Sequence, residues 1–153
     1  MDFSRLQWSD IVAAIGGVVL ALSVFATKTY EARPESPTAQ IEGLRGTVSI
    51  WQVHPILRWL LLAAAFAPII LVYIIVRDHE LSWPRGEMTA VVGLAAVTLL
   101  FYVGIIDRPG EPSGQIELDW SWYTAMAGAL MIATGGAIRA SSTERKRKPP
   151  GVL

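Results

Sequence analysis

Residues 120–148 read WSWYTAMAGALMIATGGAIRASSTERKRK. The nineteen positions from Trp120 to Ile138 carry no charge; Arg139 and the cluster Arg145-Lys146-Arg147-Lys148 follow. In a helix such a run is about 28 Å long, close to the hydrocarbon thickness of a bilayer. A basic cluster directly behind it resists translocation and holds that end in the cytoplasm. The stretch therefore predicts a membrane span with a cytoplasmic exit.

Three further apolar runs can be arranged around it. Ile11 to Thr27 is uncharged, with Trp8 at its near end. A cleaved signal peptide is the competing reading there, with Val24-Phe25-Ala26 as the cleavage site; the weakly basic lead and Gly16-Gly17 count against it. A second helix is expected from Pro55 to Val76, since proline suits a first helical position. Pro68 lies inside it and should kink it by removing a backbone bond near Ala64. Met88 to Ile106 gives another nineteen uncharged residues. The expected spans are about 8–28, 55–77, 87–106 and 120–139, with 140–153 a basic, disordered cytoplasmic tail. The fold class is an all-α membrane protein, an antiparallel four-helix transmembrane bundle.

Composition agrees. Of 153 residues, 52% are hydrophobic. Mean hydropathy is +0.42, with the apolar residues gathered into runs. There is no cysteine, which removes disulfides, thiolate chemistry and cysteine-ligated metals. Thirteen basic groups balance thirteen acids, and the one basic cluster is explained by topology, so no nucleic-acid partner is expected. With four spans, eight Lys and Arg fall on the side of the lead, middle loop and tail, against five in the first and third loops. That excess places both termini in the cytoplasm. All six tryptophans lie at or beside the expected span ends, where an indole meets both apolar and polar surroundings.

The two outer loops carry alternating segments. Gln115 to Asp119 alternates with period two, and so does Thr47 to Trp51. A rival local reading makes Ser49-Ile50-Trp51-Gln52 a capping box that opens a helical turn. The alternating pair, with Thr29 to Ala32, is expected to build a small extracytoplasmic β cap in which each segment covers the other's free edge.

Reactive constellations are sparse. The expected apolar runs contain no Asp, Glu, Lys, Arg or His, which argues against a single-chain pump or proton-coupled carrier. His54 and His79 fall on opposite membrane faces and cannot share a metal. Asp78-His79-Glu80 sits on a short link and reads as solvated polar groups. His54 and Arg58 read as interface anchors. Small residues recur at helical spacing. The candidate helix-packing positions are Ala13, Gly17, Ala21, Gly128, Ala129, Ala133, Gly135 and Gly136, serving packing within the bundle or docking to another protein. The candidate lipid-surface contacts are Arg145, Lys146, Arg147 and Lys148. No catalytic residue, cofactor or metal is expected, and the chain is read as a non-enzyme.

Ser49, Trp51 and Gln52, together with Trp122, Tyr123, Gly128, Gly135 and Gly136, give the chain a resemblance. It resembles small four-span actinobacterial membrane proteins of uncharacterised activity. In that family a Thr/Ser-x-Trp-Gln stretch opens the second span, and Trp-Tyr followed by small residues and Gly-Gly marks the fourth. Phe25-Ala26-Thr27 departs from the Pro-Trp expected after the first span. The resemblance implies the architecture, a multi-pass place in a bacterial cytoplasmic membrane, and no mechanism. Claudin-type proteins share the layout only: their paired cysteines are missing, and Arg45 follows Gly43-Leu44. The expected role is a structural or accessory subunit of a membrane complex. Membrane lipids and a protein partner or a second copy would be its contacts. An oligomeric channel or carrier for a small solute is the alternative.

Overall fold

A computed structural model describes residues 6–26, 28–77 and 85–147. Four long helices dominate. They are α1 (Trp8–Phe25), α3 (Leu57–Val76), α4 (Arg85–Phe101) and α5 (Trp120–Arg147). A short helix, α2 (Ile50–Val53), precedes α3, and a turn of π-helix, Tyr102–Ile106, extends α4. Three of the long elements are long and apolar enough to cross a membrane: Trp8–Phe25, Leu57–Val76 and Gly86–Ile106.

Local chemistry sets the ends. The Gln7 amide donates to Asp10 Oδ2 at 2.9 Å, which fixes the first turn of α1. The capping-box reading of Ser49 holds: the Gln52 amide donates to Ser49 Oγ, and the Ser49 amide donates to Gln52 Oε1. Trp51 therefore belongs to α2 and not to a strand. The long helix behind it starts at Leu57, two residues later than the sequence suggests, because Pro55 and Ile56 form a turn. Pro68 lies within α3, which continues through it.

α5 differs most from expectation. It does not end near Arg139 but continues as helix to Arg147, so residues 140–147 are not the disordered tail expected; 148–153 lie outside the described residues. The continuation follows from its residues. Ala, Glu, Lys and Arg are good helix formers, basic groups suit a C-terminal turn, and no proline occurs before Pro149. Ser141 and Ser142 return their hydroxyls to the Ile138 and Arg139 carbonyls.

The helices are packed in the order α3, α1, α5, α4, with α3 and α4 touching more sparingly. The contacts run antiparallel. Gly16 meets Gly128, while Gly135 meets Ser9 and Ala13. Gly93 meets Ala133, while Gly86 meets Ala140. A Cβ placed on Gly16 would come within 2.7 Å of the Gly128 carbonyl oxygen, so these backbones approach as closely as glycine permits. α5 lies between α1 and α4 and sees the most protein. This explains why it can be rich in Ser, Thr, Trp and Gly and is the least apolar of the four.

A three-stranded antiparallel sheet caps one end: β1 (Tyr30–Ala32), β2 (Thr47–Val48) and β3 (Ile116–Leu118), in the order β2-β1-β3. The two alternating segments of the sequence do not pair with each other. Instead β1 stands between them, with Tyr30 opposite both Val48 and Leu118. Its short segment follows directly from α1, so it enters the cap centrally. The apolar core is continuous from the cap, through Tyr30, Ile41, Val48, Ile50 and Ile116, into the bundle at Leu20, Val24, Leu61, Leu100, Ala129 and Ile132.

Candidate functional site

Polar side chains gather at three levels along the bundle. At the end opposite the cap, Asp10 lies in the first turn of α1 with its side chain 2% exposed. Arg139 Nη1 donates to Asp10 Oδ2 at 2.8 Å. The first helix thus carries an ionisable residue that the charge-free reading of the spans left outside. Ser142 donates to Gln7 Oε1 and to the Arg139 carbonyl. Ser9, Asp10, Pro68, Thr89 and Arg139 line a cavity of about 10 Å³ between the four helices. Ser9 Oγ is buried there without a hydrogen-bond partner. The volume admits at most about one water.

Where bundle meets cap, a hydroxyl seam joins three elements. Ser23 Oγ and Thr124 Oγ1 lie 2.9 Å apart, and Ser121 Oγ donates to the Ser23 carbonyl at 2.9 Å. Thr29 Oγ1 lies 3.2 Å from Ser121 Oγ and accepts from the Ile50 amide. The seam gives the Ser23 carbonyl, near the end of α1, a second donor beside the Ala26 amide. Nearby, the Trp122 indole seats on Gly104, and its Nε1 donates to the Leu100 carbonyl at 3.0 Å, just where α4 turns into π-helix. Arg108 then ties that turn to the cap, donating to the Gly104 and Ile116 carbonyls.

In the cap, the Tyr30 hydroxyl and His54 Nε2 are 3.1 Å apart. Tyr30 is fully buried, and burial raises its pKa well above the usual phenol value, with Arg108 opposing. Burial lowers the pKa of His54; the carboxylates of Asp107 and Glu42 oppose the shift. Beside this pair, the Arg58 guanidinium stacks on Trp51, 4.5 Å from the ring centroid, and lies 5.7 Å from the Trp59 ring. An open polar groove of about 520 Å³ runs between Thr38, Gln40, Glu42, Gly43, Gly110 and Glu111. Glu42 and Gly43 both have positive φ, 53° and 78°, forming the tight turn at its rim.

The sequence-predicted positions scatter among these features. Ala13, Gly17, Gly128, Ala129, Gly135 and Gly136 lie buried at helix contacts, with Ala21 and Ala133 half-buried. Arg145, Lys146 and Arg147 fall on the last turns of α5. Lys148, His79 and the rest of the Asp78-His79-Glu80 link lie outside the described residues. Among the described residues, no three His, Cys, Asp or Glu side chains converge as a metal site. Sequence reading missed the Asp10–Arg139 pair and the Ser23–Thr29–Ser121 seam. Asp10 sat just outside the charge-free run, and lone hydroxyls carry no signature until the fold joins them.

No family model, no curated protein and no solved structure matches the chain.

Proposed function

We propose that the chain is a four-span integral membrane protein that works as a structural or accessory subunit of a membrane complex. The supporting observation is the closeness of its helix seams. Gly16 on Gly128, Gly17 on Ala65 and Gly93 on Ala133 bring backbones together, and the cavity at the tail end is about one water in size. A bundle packed in this way acts through its outer faces. Those faces are apolar on α3 and α4, where Phe66, Ile70, Val91 and Leu94 point outward. Small-residue stripes that could have docked a foreign helix are occupied by the chain's own helices.

The fourth span is α5, supported by its antiparallel run along α1 and α4 and by the basic residues that close it. The same charge pattern favours a cytoplasmic position for the two ends and an outward position for the cap. The layout shared with small actinobacterial four-span proteins agrees with a bacterial cytoplasmic membrane. Pro68 packs beside Gly17 in α3, an interior position that favours the accessory role over a pore within one chain.

Photo-crosslinkers at Phe66 and Leu94, introduced in native membranes, test the role. One recurrent protein adduct at these sites, and none from a buried control at Leu61, is expected. A chain that stays unattached in mild detergent and gives no adduct overturns it. Ion or solute flux in liposomes would move the assignment to an oligomeric channel.

A further inference from the structure

We propose that Arg58, held between Trp51 and Trp59 at the cap end of α3, binds the phosphate of a phospholipid headgroup. Arg58 lies in the first turn of a helix long and apolar enough to cross a membrane. It therefore sits where hydrocarbon gives way to headgroups. Its guanidinium is already fixed. Nη1 donates to the Trp51 carbonyl at 3.0 Å, and Cζ lies over the Trp51 ring. Trp59 closes edge-on against Trp51 at 5.4 Å, and Phe25 backs Trp51 at 4.9 Å. Nε is shielded and has no hydrogen-bond partner.

The charge is stacked but not neutralised. Arg33 pairs with Glu117 at 2.6 Å and Arg139 with Asp10 at 2.8 Å. Among the described residues no carboxylate closes on Arg58. Asp107 and Glu42 are near enough to act on the adjacent His54, yet neither forms an ion pair with Arg58. A half-buried arginine with free Nη donors matches a phosphate, which it can grip through two parallel hydrogen bonds. The neighbours select a lipid over a free ion. Ile56, Trp59 and Leu60, which flank Arg58 in the chain, and Leu22, one turn before Phe25, are exposed and offer acyl-chain contact, with indoles suited to headgroup depth. Free phosphate has no use for that apolar surround.

The proposal rests on α3 crossing a bilayer, which flotation of the full chain with vesicles tests by itself. Native mass spectrometry of the full chain in a neutral detergent then tests the site. Short-chain phosphatidylglycerol, the matching phosphate-free diacylglycerol and inorganic phosphate are titrated separately. Phosphatidylglycerol is expected to bind, and Arg58→Gln to weaken it about tenfold or more, the loss typical of charge-assisted hydrogen bonds. Arg58→Lys should fall between, since it keeps the charge and loses the fork. Trp59→Ala, at an exposed position that leaves the core intact, should weaken binding severalfold. Equal binding by Arg58→Gln overturns the site, and so does equal binding of diacylglycerol. Equal binding of inorganic phosphate overturns the lipid as occupant. A chain that floats with vesicles but binds lipid independently of Arg58 fails this proposal alone; one that does not float fails the bilayer reading.

Discussion

Arg139 reaches back across 129 residues of sequence to hold Asp10, joining the first turn of α1 to the region where α5 leaves its apolar run. Both side chains are largely buried, so each needs the other's charge. Asp10→Ala should destabilise the protein by about 3–5 kcal/mol, the loss typical of removing one member of a buried ion pair. The double variant Asp10→Ala/Arg139→Met should recover much of that loss. Unfolding in mixed detergent micelles, followed by circular dichroism, measures both. Equal stability of the single variant and the parent would show that the pair is not buried.

The close approach of α4 to α5 can be challenged by adding a side chain. A Cβ on Gly93 would collide with the Ala133 backbone. Gly93→Val should cost about 1–3 kcal/mol, as overpacking does. Ala95→Leu, two residues away on the exposed face, should stay within about 0.5 kcal/mol. The same micelle unfolding assay compares them. Similar values would mean that α4 and α5 do not meet through Gly93.

Trp122 tests the π-helical turn. Trp122→Phe keeps most of the ring packing but removes the indole donor to the Leu100 carbonyl. A loss of about 0.5–1.5 kcal/mol is expected for that hydrogen bond. Protection of the amides from Tyr102 to Ile106 should fall with it in hydrogen exchange. Unchanged protection would separate the indole from the helix distortion.

The cap should respond to acid. Burial holds the folded pKa of His54 below its usual value of about 6.5. Above that value both folded and unfolded forms carry neutral imidazole, and the cap keeps its full stability. As pH falls from there through the lowered folded pKa, the unfolded chain takes up the proton first, and stability is lost. His54→Gln should flatten this dependence, because the amide does not titrate. Thermal unfolding at several pH values between 7.5 and 5 shows the slope, and an identical slope in His54→Gln would assign it elsewhere.

Much of this arrangement was legible in the chain because the solvent writes it plainly. The charge-free runs mark where α1, α3 and α4 stand, and Ser49 with Gln52 announces the turn into α2. The basic end of α5 was misread as disorder, since lysine and arginine suit a solvated helix as well as an unstructured tail. The cap's strand order was not legible either. Tyr30 to Ala32 is too short to display a period, and its central place follows from where α1 delivers it. The polar groups proved least visible. Asp10, Ser23, Thr29 and Ser121 acquire meaning only from partners distant in sequence, as in the bond between Thr29 and Ser121, 92 residues apart.

The seating of α1 against α5 has a consequence for biogenesis. α1 precedes its largest partner, α5, by most of the chain, so it is made well before the helix that covers it. During that interval Asp10 lacks Arg139, and Gly16 lacks the Gly128 backbone that will later cover it. Nascent chains halted before α5 should therefore be loosely associated and readily degraded, and the synthesis of α5 becomes the step that locks the four helices together.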